Sequence, residues 1–455
     1  MKKILILLLC TGALWGCKKS FLDTPSTIGI SLTELSNKSG VQQLLIAAYH
    51  NVAGLTVKSA YWSTSGTNWI YGDLTSGDAY RGGKDKNDKP DGVLIEHFQA
   101  LPSNPYLADK WRTVYDGVTR ANKAILATNA ATDMTENEKT AAIAEARFLR
   151  GHFHFEAKKM WNKVPYIDET VTDFMVSNEK DIWPDIEADF KFAFDNLPEI
   201  RPYKGQANKW AAACYLAKAY MFEKKMTEAR ELLNTIIPPS YGGNGGGVNA
   251  QGVPYALMPN FDDNSNPELE NGPEHVFQIQ FSANDGANGA NSNIGEMGNY
   301  SAAWGLTTLY TSWKQPSFNL VNAFKTDDNG LPTPDTYNDV NMTNDANTGR
   351  YDYYTTYQGK VDPRLDWTVG RRGVPYLDWT GPGYPPPTYL TSNPGSDPTV
   401  GWVHNRVFGG PYINVKGMYR NNVNPSTYMA EHKYNENNAQ GYIFSSAVNV
   451  SITRL

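Results

Sequence analysis

The chain has 455 residues, with 41 Lys plus Arg against 47 Asp plus Glu, a net charge of -6 and 19% charged residues. Aromatic residues reach 12%, with 27 Tyr and 12 Trp, beside 39 Gly and 27 Pro. This balance excludes a charged disordered chain, a coiled coil and a collagen-like repeat, and it lacks the basic face of a nucleic-acid binder.

The N-terminus carries an address. Lys2 and Lys3 precede the apolar run Ile4 to Cys10, a secretory signal too short to span a bilayer. Leu14-Trp15-Gly16-Cys17 resembles the bacterial lipobox, whose cysteine is diacylated and becomes the first residue. Residues 1–16 are therefore expected to be a lipoprotein signal peptide. Cys17 is the expected lipidation site, tethering a folded body to the membrane through acyl chains. Cys10 would leave with the leader, so Cys214 has no partner for an internal disulfide.

From residue 36 to 238 helical periodicity dominates. Leu44, Leu45, Ala48 and Val52 share one face; Trp111, Val114, Tyr115, Val118 and Ile125 repeat the pattern over 106–128. Thr135-Glu136-Asn137-Glu138 reads as a capping box opening a helix to Trp161. Further helices are expected over 183–197, 208–223 and 227–237. The Ala-rich run from Ala211 to Ala219, flanked by Trp210, Tyr220 and Phe222, allows close helix approach. With the next helix it resembles a tetratricopeptide hairpin, which needs neighbours to bury its face. Trp111, Trp183 and Trp210 fall on periodic faces and are assigned to the core.

Residues 239–455 have another texture. Gly, Asn, Pro and Tyr recur, with one strand expected over 274–281 and a short helix over 318–325. The fold class is thus mainly α: a tetratricopeptide-like helical scaffold with long irregular loops and a few short strands. One domain, 17–455, is expected, its scaffold mostly within 36–238 and its loop-rich ligand or partner region in 239–455.

Several segments together resemble the SusD/RagB-like family of outer-membrane nutrient-binding lipoproteins of Bacteroidota. They are Ser20-Phe21-Leu22-Asp23-Thr24-Pro25; Glu145 to Phe155 followed by Trp161 and Val164-Pro165; the helix from Asn208; Phe318 to Phe324; and Asp362-Pro363-Arg364-Leu365. Gly151 departs from the family's usual Ala, a helix cost of about 1 kcal/mol. Ser451 to Leu455 looks like the entry to a further helix pair, so the resemblance implies that C-terminal helices are missing. It also implies a function without catalysis. Such proteins sit on the cell exterior, bind an oligosaccharide and deliver it to a TonB-dependent, SusC-like outer-membrane transporter. In the RagB branch the ligand is a peptide.

The residues offer suitable chemistry. Sugar rings stack their C–H faces on Trp and Tyr, and their hydroxyls pair with Asn, Asp and Arg. Two segments combine such groups. The first holds Asn68, Trp69, Tyr71, Asp73, Tyr80 and Arg81, with Trp62 as a weaker member; the second holds Tyr300, Trp304, Tyr310 and Trp313. Tyr376, Trp379 and Tyr384 are read instead as lining the transporter-facing surface.

Catalytic and metal readings are poor. His152 and His154 point to different helix faces, Cys214 sits inside an Ala-rich helix, and Asp262-Asp263 and Asp327-Asp328 lie in loops without EF-hand spacing. No P-loop or dinucleotide fingerprint occurs, so no cofactor, metal or catalytic residue is expected. The rival class is a secreted α-helical glycoside hydrolase with two indispensable carboxylates.

Overall fold

The structure is a computed structural model that describes residues 30–54, 61–83, 87–173, 175–265, 269–282, 313–342, 357–371, 374, 412–414 and 450–454. Cys17, Tyr300, Trp304, Tyr310, Tyr376, Trp379 and Tyr384 lie outside them.

Six longer helices form the scaffold. They are α1 (Lys38–Val52), α4 (Pro105–Ala130), α5 (Glu136–Trp161), α6 (Trp183–Asn196), α7 (Lys209–Phe222) and α8 (Met226–Asn234). Two short helices, α2 (Tyr61–Thr64) and α3 (Pro90–Glu96), lie between α1 and α4. Side chains start the helices where the sequence places caps. Asn37 accepts from Gly40 N at α1, and the Thr135–Glu138 capping box is closed at α5. Asn208 accepts from Ala211 N at α7, while its Nδ2 donates to the carbonyls of Glu199 and Val248, at 2.7 and 2.8 Å. One residue thereby starts a helix and pins two loops.

Successive helices pack on one another: α1 on α4, α4 on α5, α5 on α6, α6 on α7 and α7 on α8. This is the tetratricopeptide-like stacking expected from the alanine spacing. Ala211, Ala212, Ala213, Ala217 and Ala219 are buried between larger neighbours. Those neighbours include a nest of rings. Phe148 lies 5.1 Å from Tyr215, 5.3 Å from Phe277 and 5.9 Å from Phe190, the first two edge-on, as the ring quadrupoles favour. Gly151 has a packing reason. A Cβ there would stand 2.9 Å from Phe190 Cε1 and 3.2 Å from Asp189 Cβ, so its absence lets α6 approach α5.

A buried ion network ties α5 to α6. Asp189, with no exposed side-chain surface, accepts from Arg147 Nε at 2.8 Å, Arg150 Nε at 2.9 Å, Arg150 Nη2 at 2.8 Å and the Tyr166 hydroxyl at 2.8 Å. Arg150 also reaches Asn122 Oδ1 at 3.1 Å and Glu169 Oε2 at 2.5 Å.

The remaining elements are short: β1 (Ala79–Gly82), β2 (His275–Ile279), β3 (Trp313–Pro316), α9 (Phe318–Asn322), β4 (Val369–Gly370), β5 (Ile413–Asn414) and β6 (Val450–Arg454). They form three two-stranded antiparallel sheets, β1–β3, β2–β6 and β4–β5. The strand expected over 274–281 is β2, every residue of it buried with α7 packed against it. Two expectations change. Residues 451–454, expected as the entry to a helix pair, belong to strand β6. Trp111, expected in the core, is 36% exposed and lies 4.6 Å from Tyr115 and 5.0 Å from Trp161 at the end of α5.

Candidate functional site

The two aromatic segments singled out in the sequence meet. β1 pairs with β3, with Ala79 opposite Pro316, Tyr80 opposite Gln315 and Gly82 opposite Trp313. Around this ladder lies a small core separate from the helical one: Trp69, Ile70, Leu74, Ala79, Ile95, Tyr106 and Trp313, with Trp62 and Tyr71 packed against it. Apolar side chains from 61–82 and 313 therefore bury one another, and α3 and the start of α4 close the underside.

This burial sorts the candidates. Trp69 and Trp313 are 1% and 4% exposed, so the ring area of both is committed to the fold in this conformation. Arg81 is buried too. Its backbone N–H donates to Glu96 Oε1 at 3.0 Å, its Nη1 donates to Asp88 O, and its Nε lies 3.9 Å from Glu96 Oε2. Tyr71 is half-buried, its hydroxyl 2.7 Å from Tyr106 O and 2.9 Å from Ser63 O; burial pushes that phenol well above its usual range. Trp62, Asn68, Asp73 and Tyr80 are half-buried and keep some surface. Asp73 pairs with Lys314 at 2.8 Å across the β1–β3 junction. Burial raises the Tyr80 phenol as well.

Asn68 faces the scaffold. It adopts a left-handed backbone, φ 58, and its Nδ2 donates to Glu156 Oε2. Burial opposes the charge on Glu156, yet Lys159 at 2.7 Å, with His152 and Lys110 close by, holds its carboxyl down at about 2. Lys110 in turn donates to the carbonyls of Thr64 and Ser65, at 3.2 and 2.9 Å. Two α5 neighbours, His152 and His154, are pushed down by burial to about 4 and about 3, so both are neutral at pH 7. The 61–78 segment is thus fixed to α4 and α5 by buried polar contacts.

Lys89, which no sequence pattern marks, joins this region. The Lys89 ammonium lies 4.0 Å from the ring centroid of Trp62 and 3.8 Å from that of Trp313. The Arg81 guanidinium stands 5.4 Å from the same Trp313 ring. Gly83 makes room for this stack. Its φ is +91, and a Cβ would sit 2.7 Å from Arg81 Nη1 and 3.2 Å from the Trp313 ring. Among the described residues no group of three or more His, Cys, Asp or Glu is placed to hold a metal ion. No helix among them is long and apolar enough to cross a membrane.

A family model described as "SusD-like_3: Starch-binding associating with outer membrane" matches residues 20–221. Residues 20–221 are a SusD-like segment. A SusD-like protein of Bacteroides ovatus is 36% identical over 131 residues, which cover 27% of this chain and 24% of that protein. The chain spans about a quarter to about half of the length of the curated relatives it matches. Among solved structures, a SusD-like protein of Bacteroides fragilis superposes with a TM-score of 0.59 at 17% identity, covering 92% of this chain and 73% of that one. A laminarin-binding SusD-like protein gives 0.54 at 18% identity, covering 92% and 78%. The SusD-like fold thus extends well beyond the stretch matched in sequence. The helical core from α1 to α8 and the small core of Trp69 and Trp313 are two parts of that fold.

Proposed function

We propose that this SusD-like chain is a surface lipoprotein, anchored through Cys17, that binds an oligosaccharide without cleaving it and delivers it to a TonB-dependent outer-membrane transporter. The observation that carries the reading is the junction of β1 with β3. It gathers half-exposed Trp62, Tyr80 and Asp73 over a support of buried Trp69 and Trp313, so that an indole, a phenol and a carboxylate stand together at the surface, the mixture of ring and polar groups that a sugar requires. The solved neighbour named as binding laminarin, and the family model's description as starch-binding, support a glucan as the first ligand class to try. Tyr300, Trp304 and Tyr310 belong to the same proposal, because they precede Trp313 in the chain. In the same proposal, 17–455 is one body whose ligand region is drawn partly from 239–455.

The test is affinity electrophoresis of the chain from residue 18 onward through gels containing laminarin, soluble starch or other polysaccharides. Released reducing ends are assayed in the same samples. Retardation by one polymer with no new reducing ends is the expected result. New reducing ends would turn the reading toward the glycoside hydrolase. Retardation by no polymer in the panel would refute a sugar ligand.

A further inference from the structure

We propose that Trp62 and Trp313 form a two-indole clamp that Lys89 occupies in the unliganded protein, and that a neutral pyranose ring of the bound glycan takes the place of its ammonium. The inference rests on the glycan-binding reading above and adds a resident competitor to it.

The geometry comes first. One ammonium sits 4.0 Å and 3.8 Å from two indole centroids. These distances are about those at which carbon packs on a ring face, roughly 3.5–4 Å. The ammonium therefore touches both indoles at van der Waals distance, the contact that the C–H groups of a saturated sugar make on a ring. A cation on two π faces is held by the ring quadrupoles, so the clamp is filled rather than collapsed.

The occupant is under tension. Lys89 adopts φ 57 and ψ 62, a left-handed backbone that costs a lysine on the order of 1 kcal/mol, made less favourable by the proline that follows. Burial pushes its ammonium down to about 8, with Asp88 opposing that shift and Arg81 reinforcing it. Arg81 presents a second cation to the same Trp313 ring at 5.4 Å. The Lys89 charge is repelled by the neighbouring guanidinium, whereas an uncharged ring loses nothing to it. Once displaced, the ammonium becomes a hydrogen-bond donor at the rim, within reach of sugar hydroxyls.

The frame around the clamp is fixed, so emptying it need not unfold the site. Trp313 is held in β3 against β1, and Trp62 Nε1 donates to the Tyr106 hydroxyl at 3.1 Å. Lys89 lies just before α3, outside the buried core.

The test uses laminarin and soluble starch as probes, on the chain from residue 18 onward, with each variant first checked for wild-type far-UV circular dichroism and melting temperature. Lys89→Ala empties the clamp. Lys89→Glu replaces the cation by an anion that the π faces repel. Lys89→Arg keeps a cation in place. The expected result, on whichever polymer retards the wild type, is five- to tenfold tighter retention for K89A and K89E. K89R should stay within twofold of wild type. Combining K89A with Trp62→Ala should abolish the gain. Equal or weaker retention of both K89A and K89E, or a gain that survives W62A, would overturn the clamp while leaving glycan binding intact. If neither polymer retards the wild type or K89A, the glycan reading itself fails and the clamp falls with it.

Discussion

Asp189→Ala should be among the most damaging single substitutions in the scaffold. The carboxylate is fully buried and receives four hydrogen bonds, three from Arg147 and Arg150 and one from Tyr166. Removing one partner of a buried ion pair costs about 3–5 kcal/mol, mostly because the other charge stays buried without compensation. Here Arg150, whose side chain is 5% exposed, would keep Glu169 and Asn122. Arg147 is 23% exposed and could regain water. Both facts favour the lower end, about 3 kcal/mol. Asp189→Asn preserves the shape but keeps one acceptor oxygen and turns an amide NH2 on two of the donors, so a loss of similar size is expected. The assay is equilibrium urea unfolding followed by far-UV circular dichroism and tryptophan emission, accepted where the two transitions coincide. A loss under about 1 kcal/mol for the alanine variant would refute the view that Asp189 locks α5 to α6.

Three further outcomes are open to the same assay. Gly151→Ala gains about 1 kcal/mol of helix propensity but drives a methyl to 2.9 Å from the buried Phe190 ring; overpacking costs typically 1–3 kcal/mol, so a net loss near 1 kcal/mol is expected, and a gain would mean that Phe190 yields freely. Thr135→Ala removes the closed capping box of α5 and should cost about 1 kcal/mol, an unchanged stability counting against the cap. Acid should destabilise the fold early. The usual histidine value is 6.5, burial lowers His152 to about 4 and His154 to about 3, so only the unfolded chain takes up protons as pH falls below 6.5. Their stabilising effect is complete above 6.5 and is lost downward toward 4 and 3, about 2 kcal/mol per histidine by pH 5. Glu156, at about 2 against 4.5, adds a loss in the same direction below 4.5. Unfolding free energies that stay level between pH 7 and 5 would contradict this.

The helical half of the molecule was legible because its signals are local. Three- and four-residue spacing, the Thr135 box and the Asn208 cap act within one or two turns, and they marked α1, α4, α5, α6, α7 and α8 to within a few residues. Trp111 shows where periodicity misleads. It lies on the same repeating face as Val114 and Val118, which are fully buried; Trp111, in the second turn of α4, meets only the end of α5, at Trp161, and its own neighbour Tyr115, and so stays partly exposed. The β1–β3 junction was half legible. Aromatic richness marked both segments, yet strands of four residues, one ending in Gly82, carry no period long enough to show that residues more than 200 apart in sequence would pair. Gly151 was read as a departure with a cost to its helix. Its use became visible only with Phe190 beside it. Lys89 carries no sequence signal at all. It ends a run of charged residues and precedes a proline, a context that reads as a solvated turn, and the two indoles that hold it come from positions 62 and 313.

This arrangement decides which tryptophan can report on ligand binding. Trp69 and Trp313 belong to the small core, at 1% and 4% exposure, and replacing a buried aromatic by Ala costs about 3–5 kcal/mol. Trp69→Ala and Trp313→Ala should therefore lower the melting temperature and loosen the β1–β3 junction, so any loss of glycan retention in them mixes fold with function. Trp62 is half-buried and packs on the edge of the same core. Its replacement by Ala should cost the fold less while removing one face of the clamp and the donor to Tyr106. A weaker-binding W62A with a near-wild-type melt would locate the sugar on that face. If W62A melts as early as W313A, Trp62 is a core residue like the others, and the sugar-facing surface must then be sought on Tyr80 and Asp73, which keep partial exposure at the same junction.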